Sequence, residues 1–306
     1  MTKQVFDRSD PPHIIFFTIS ILQETADEYQ VPLWAVAVDF QKAFDSVTHR
    51  GIWDALVDQG VDEGYIRVLR HMYRDQKATV KTDRASKEFQ IQRGTKQGDP
   101  LSSLLFNSVS EYVIDKVKTK WIKSKIGVPM MSKQYRLTNL RFADDILLLA
   151  TSLRHVKKMI GDLQGAAEEV GLVLHPKKTK VLHNSFGGSR KDQNAVSMDI
   201  NGMDIEILPI SGHTKYLGRE LSFSDPQRVE IENRIAAAWR KFYSLKQELV
   251  GRRYSLKDRM RLFHGVLTPT LLYGCEAWTM TVELENRVRR TQRHMLKMII
   301  RTPRRK

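Results

Sequence analysis

Leu140-Arg141-Phe142-Ala143-Asp144-Asp145-Ile146-Leu147-Leu148-Leu149-Ala150 sets two adjacent aspartates between two apolar runs. Short apolar runs on either side of a small polar centre predict a β-hairpin over 135–150, with Ala143-Asp144-Asp145 in its bend. Two carboxylates that close, in a partly desolvated turn, drive one pKa up unless a cation is bound. Oxygen-only ligands with phosphate partners suit Mg²⁺. A plain turn would also explain the pair, because Asp favours turns.

A third acid has similar surroundings. Leu33 to Val38 is apolar, with two valines and a tryptophan, and reads as a buried strand running into Asp39. Before it, Ile15, Ile19, Leu22, Ala26 and Tyr29 predict a helix over 12–30 that Pro32 ends. After it, Thr48 opens and Gly60 closes a helix over 48–59, and residues 77–83 and 87–92 predict a hairpin around Asp83-Arg84-Ala85. Pro100 to Lys118 reads as a long helix after a glycine-bearing loop. A helix over 152–170 stops at Gly171, and Asn201-Gly202 signals a hairpin turn. Phe186 to Gln193 is the best linker candidate.

Beyond the hairpin at Asn201-Gly202 the pattern is helical. Asp225-Pro226 makes a cap with proline at the first helical position, followed by the apolar stripe Ile231, Ile235, Ala238, Phe242, Leu245 and Leu249. Ser255 with Asp258 opens another helix, and a last basic helix follows Thr281. Strands and helices interleave without a regular βαβ period, which predicts an α+β core followed by a helical subdomain.

The 306 residues carry 50 Lys and Arg against 35 Asp and Glu, a net charge of +15. From Pro226 to Lys306 there are 19 basic and 7 acidic residues, so +12 of the excess sits at that end. Such an imbalance points to a polyanion, nucleic acid before a membrane surface. The single cysteine, Cys275, excludes an internal disulfide and the usual thiolate zinc sites, and reads as intracellular. No apolar signal segment or bilayer-spanning run is present. Nucleus and cytoplasm are not separated, Pro303-Arg304-Arg305-Lys306 being a weak nuclear address.

Val36-Ala37-Val38-Asp39-Phe40-Gln41-Lys42-Ala43-Phe44-Asp45 resembles motif A of non-LTR retrotransposon reverse transcriptases. Arg93-Gly94-Thr95-Lys96-Gln97-Gly98-Asp99-Pro100-Leu101-Ser102 is similar to their motif B, and Phe142-Ala143-Asp144-Asp145 to motif C. Gly171-Leu172 through Lys178-Thr179 resembles motif D, and Tyr216-Leu217-Gly218 motif E. The five stand in family order with family-like gaps, and the ordered set is far more specific than any one of them.

The resemblance implies a right-hand polymerase: an antiparallel palm sheet packed on helices, then an α-helical thumb-like subdomain. It implies an RNA template, a DNA primer and dNTPs as partners, and two Mg²⁺ ions (Mn²⁺ a substitute) held by Asp39 and Asp144 with Asp145 in support. The Phe40 carbonyl would complete the nucleotide-side metal, and Phe44 would exclude a ribose 2′-hydroxyl. Without the motif, Phe44 reads equally well as core. Gln97 and Gly98 would lie against nucleotide and template, Lys178 would meet the leaving pyrophosphate, and Tyr216, Leu217 and Gly218 would grip the primer. Arg234, Arg240 and Lys241 are expected on the basic thumb surface facing phosphates.

The expected division is 1–33 for remnant fingers and an opening helix, 34–222 for the palm with motifs A to E, and 223–306 for the thumb and its extension. Family members carry a longer fingers region, of which Gln4-Val5-Phe6 and Arg8-Ser9 resemble a remnant, so a fragment is expected. Ser103 where many relatives have proline, and His175 where asparagine is common, are mild departures. Two alternatives stay open: a catalytically weak nucleic-acid-binding relic, and a group II intron-type maturase. The spelling of Thr270-Leu271-Leu272-Tyr273-Gly274 argues against the maturase.

Overall fold

The computed structural model describes residues 12–81, 86–96, 98–130, 135–188 and 190–300. The expected fingers remnant before residue 12, Asp83-Arg84-Ala85, Gln97 and the terminal Pro303 to Lys306 lie outside them.

The chain opens with α1 (Pro12–Glu28), β1 (Trp34–Val38), α2 (Ala43–Ser46), α3 (His49–Asp58) and α4 (Glu63–Tyr73). A short pair, β2 (Lys77–Ala78) and β3 (Phe89–Gln90), precedes α5 (Pro100–Lys123). Another short pair, β4 (Val128–Pro129) and β5 (Arg136–Leu137), leads into β6 (Asn139–Phe142), β7 (Asp145–Ala150) and α6 (Leu153–Glu168). Next come β8 (Lys180–His183), α7 (Arg190–Gln193), β9 (Ser197–Ile200) and β10 (Met203–Ile207). The remainder is β11 (His213–Tyr216), β12 (Arg219–Ser222), α8 (Pro226–Ser244), α9 (Lys246–Val250), α10 (Leu256–Leu262), α11 (Thr268–Leu271) and α12 (Val282–Ile300).

Local chemistry explains many of these ends. Thr48, Asp99, Ser152, Asp225 and Ser255 each accept a backbone N–H of the first helical turn through a side-chain oxygen, so α3, α5, α6, α8 and α10 begin where an orphan donor is satisfied. The expected helix through 226–250 is broken at Leu245 into α8 and α9. Between α10 and α11 the helix widens to a π-turn over Phe263–Leu267, just before Pro269, which brings no N–H to an α-helical ladder.

One compact unit comprises residues 26–210. Its sheet has the order β6-β7-β1-β8-β10-β9, antiparallel throughout except for β8 with β10. β1 lies inside the sheet, and all five of its residues are buried, which is why it reads as an unbroken apolar run. Trp34, Val36 and Val38 share one core with Val109, Val113 and Ile114 of α5 and Met159, Ile160 and Leu163 of α6.

The other unit contains residues 12–25 and 211–300. Ala238, Phe242, Leu249, Phe263, Leu267, Leu271, Met295 and Ile299 form its helical core. This differs from the expected division after residue 222. The β11–β12 hairpin packs on α8 instead of extending the six-stranded sheet. The opening helix belongs here too, with Gln23 Nε2 donating to the Ser222 carbonyl at 2.7 Å.

Candidate active site and its supporting turn

The β1–β7 ladder pairs Val38 with Ile146, and one further step along it brings Asp39 across from Asp145. On the other side β7 pairs with β6 through Phe142 and Asp145, leaving Ala143-Asp144 as the two-residue bend. Ala143 takes a φ of +53°, a conformation non-glycine residues seldom adopt, and this tight reversal projects Asp144 into solvent. The register therefore gathers the three acids at one end of one strand pair.

Their electrostatics are unbalanced. Burial pushes the Asp145 carboxyl up to about 6, and the Asp144 and Asp39 carboxylates push it the same way. Asp39 Oδ1 is buried without a hydrogen bond, and the Lys178 ammonium stands 3.7 Å from it. A carboxylate oxygen without a hydrogen bond, set beside two further acids and faced by an exposed ammonium, is a donor set that fits a divalent cation. Among the described residues no cluster of three or more acidic, His or Cys side chains forms a ready-made cage. Mg²⁺ needs none, since it keeps waters and takes phosphate oxygens beside one or two carboxylates.

Asp39 is fixed through its backbone by the motif D segment. Its N–H donates to Thr179 Oγ1 at 3.3 Å, and its carbonyl accepts from His175 N at 2.8 Å. The two segments continue side by side: Phe40, its ring buried, bridges to Leu174, Gln41 N donates to the Val173 carbonyl, and Thr48 N to that of Val170, both at 2.8 Å. Lys178 is brought to Asp39 by the turn that closes this run.

Motif B is stitched to the same stretch. Thr95 N donates to the Phe44 carbonyl and Gly94 N to that of Val47, both at 2.7 Å. Gly94 has φ +90°, and a Cβ there would stand 2.9 Å from the Asp45 carbonyl oxygen, so only glycine permits the approach. Phe44 is half-buried and stacks on Phe106 with centroids 4.6 Å apart, so it has both a core contact and an open side. Gly98 is exposed with free space at its Cβ position, as a backbone surface for a ligand requires.

Sequence reasoning missed three supports here. His49 Nε2 lies 3.2 Å from the Gly94 carbonyl. Glu111 of α5 and Arg141 of β6 form a buried ion pair at 3.0 Å, joining the motif B helix to the aspartate hairpin. Arg141, the second residue of the Leu140–Ala150 stretch, was the available signal, as a charge inside an apolar run.

In the other unit, β11 and β12 pair from His213–Ser222 to Tyr216–Arg219, and Leu217-Gly218 forms the turn. Both turn residues have positive φ, +50° and +74°, the pattern of a type I′ turn. Tyr216 and Leu217 bury their side chains, so Gly218 is what the motif exposes. Arg234 corrects the expected thumb surface. Its side chain is 10% exposed and ion-paired with Glu230 at 2.8 Å, so it is turned into the fold and is not part of an exposed basic surface. Arg240 and Lys241 are exposed and form no ion pair with a described residue. On α12 the same is true of Arg290, Arg293 and Lys297.

Residues 3–221 match the family of reverse transcriptases (RNA-dependent DNA polymerase). A transposon-derived protein of Caenorhabditis elegans is 34% identical over 164 residues, covering 54% of this chain and 57% of that protein. A retrovirus-related Pol polyprotein from type-1 retrotransposable element R2 of Popillia japonica is 27% identical over 281 residues, covering 87% of this chain and 43% of that protein. The solved apo telomerase of Candida tropicalis aligns over 96% of this chain and 55% of its own, with 12% identity and a TM-score of 0.46. The chain spans about half the length of these two curated relatives.

Proposed function

Since this chain belongs to the reverse transcriptase (RNA-dependent DNA polymerase) family, we propose that it is of the non-LTR retrotransposon kind and extends a DNA primer with dNTPs on an RNA template. Asp39 and Asp144 are the metal-holding carboxylates in this reading, and Asp145 supports them. Two Mg²⁺ ions bound there, or Mn²⁺ in their place, would neutralise the triphosphate and activate the primer hydroxyl. The chain's own part is positioning, which together with electrostatic stabilisation makes up nearly all of catalysis in phosphoryl transfer.

The observation that carries the reading is the crowding of three carboxylates: Asp145 is raised to about 6 beside Asp144 and Asp39, and the Asp39 oxygen has no hydrogen bond, with the Lys178 ammonium 3.7 Å away. Phe44, held by the Thr95 bond to its carbonyl, would check the sugar from its open side. The Phe40 carbonyl would face the nucleotide metal, and Gln97 and Gly98 would meet the base pair. Lys178, now paired with Asp39, would turn to the departing pyrophosphate. Tyr216, Leu217 and Gly218 would steady the primer end through the turn they build. With these partners the chain would work inside the cell, in nucleus or cytoplasm. Among the described residues no helix is long and apolar enough to cross a membrane.

The test is primer extension on poly(rA)/oligo(dT) with Mg²⁺ and purified chain. The expected result is extension by wild type and its loss, by about 10³-fold or more, in Asp39→Asn and Asp144→Asn. A folded wild type that extends no primer would overturn the proposal in favour of a binding relic.

A further inference from the structure

The Leu217-Gly218 turn is held far more tightly than a surface hairpin needs. The Leu217 carbonyl accepts from the Tyr273 hydroxyl at 3.0 Å, and the Gly218 carbonyl accepts from the Arg234 guanidinium. Arg219 Nε stands 3.5 Å from Glu230 Oε1, and the Glu220 N–H donates to Glu230 Oε2 at 2.8 Å. Four consecutive residues are thus each gripped by a side chain from another element. Glu230 itself is fully buried between two arginines, Arg219 and Arg234.

The surroundings are shaped to admit this grip. Arg219 lies over the Phe16 ring at 4.6 Å, and Arg234 over the Tyr273 ring at 5.1 Å. A Cβ at Gly274 would come within 2.9 Å of the Arg219 stem, so the Leu272-Tyr273-Gly274 spelling supplies both a hydroxyl for Leu217 and room for Arg219. Two features show that stability alone is a poor explanation. Type I′ turns favour Asn or Gly, whereas a leucine stands here at φ +50°. Buried ion triads, moreover, usually gain little over apolar packing and are better suited to fixing one geometry.

We infer that Arg234, Glu230 and Tyr273 are positioning residues that hold the Leu217-Gly218 turn in one strained conformation, so that its exposed backbone can steady the sugar–phosphate of a primer end. The inference rests on the proposed polymerase function and assigns the order of that turn to three residues outside its motif. None of the three needs to touch the primer. The turn itself would offer mainly backbone, because Tyr216 and Leu217 are buried and Gly218 is exposed.

The experiment compares wild type with Tyr273→Phe, Arg234→Lys and Arg234→Met on a preformed primer–template. Single-turnover extension gives the fraction of bound duplex that is productively placed. Duplex Kd without dNTP, the KM for dNTP and the melting temperature are measured alongside. The productive fraction should fall two- to fivefold in Tyr273→Phe and tenfold or more in Arg234→Met, with partial rescue in Arg234→Lys. Duplex Kd and dNTP KM should stay within twofold. If Arg234→Met fails to fold, Tyr273→Phe carries the test, since it removes one oxygen from a ring at the surface. A wild-type productive fraction in Tyr273→Phe would overturn the inference, as would a parallel loss in every measured quantity. A wild type that extends nothing would instead remove the polymerase reading beneath it.

Discussion

Replacing Asp145 with asparagine should stabilise the metal-free chain above pH 6 while leaving it unchanged at pH 4. In the folded chain the carboxyl is raised from its ordinary value of 3.8 to about 6, by burial first and then by Asp144 and Asp39. Between those values the folded state holds a proton that the unfolded state has lost, so stability falls as pH rises through the window. A displacement of about two pH units corresponds to about 3 kcal/mol at 1.36 kcal/mol per unit. Asp145 keeps part of its surface in water, where charge is screened, so about 1–2 kcal/mol is expected to appear. The assay is urea unfolding of wild type and Asp145→Asn at pH 4, 5, 6 and 7 in chelator, read as the difference between the two proteins. Mg²⁺ added at pH 7 should narrow that difference by relieving the repulsion in wild type. Two curves that keep a constant separation across the range would refute the electrostatic account of the site.

Phe44→Ala should raise ribonucleotide relative to deoxyribonucleotide incorporation, measured as the ratio of kcat/KM values; an unchanged ratio in an active variant would place the sugar check elsewhere. Gly94→Ala should cost about 1–3 kcal/mol in stability, because its Cβ would meet the Asp45 carbonyl at 2.9 Å in a left-handed conformation; a melting temperature within a degree of wild type would contradict the close approach. Alanine at Arg240, Lys241, Arg290, Arg293 and Lys297 should weaken duplex binding and flatten its log–log salt dependence by about 0.9 per lost phosphate contact. An unaltered slope would remove these side chains from the binding surface.

Much of the fold was legible because its signals are local. The aspartate hairpin announces itself through apolar runs on both sides of Ala143-Asp144, and β1 through five residues with no exposed face to interrupt them. β8 was missed: Lys180 to His183 is only four residues, with basic and polar residues at both ends, and becomes a strand by pairing with β1 and β10. The β11–β12 hairpin was likewise hidden, because Leu217-Gly218 is not the Asn-Gly that marks such turns. Arg234 was misread for a different reason. A basic helical residue reads as solvated until its partners are known, and of these only Glu230, one turn earlier on α8, is near in sequence. At the catalytic end the residue types pointed to the chemistry, but the ladder that fixes Asp39 to His175 and Thr179 depends on a fold that brings distant segments together.

That ladder also sets an order of events for the nascent chain. Trp34 pairs with Ala150 on one side and His183 on the other, partners more than a hundred residues downstream. As the chain leaves the ribosome, β1 emerges early as a sticky, unpaired strand, and neither neighbour exists until most of the unit has been made. Closing such large loops is entropically slow, so acquisition of structure here should be governed by the arrival of β7 and β8 and not by the fast local helices. Asp39 would become a defined site in the same late step, since the backbone partners that orient it, His175 and Thr179, lie at the threshold of β8. A chain halted before residue 180 would display Trp34–Val38 with one edge open, a template for aggregation that the complete unit conceals.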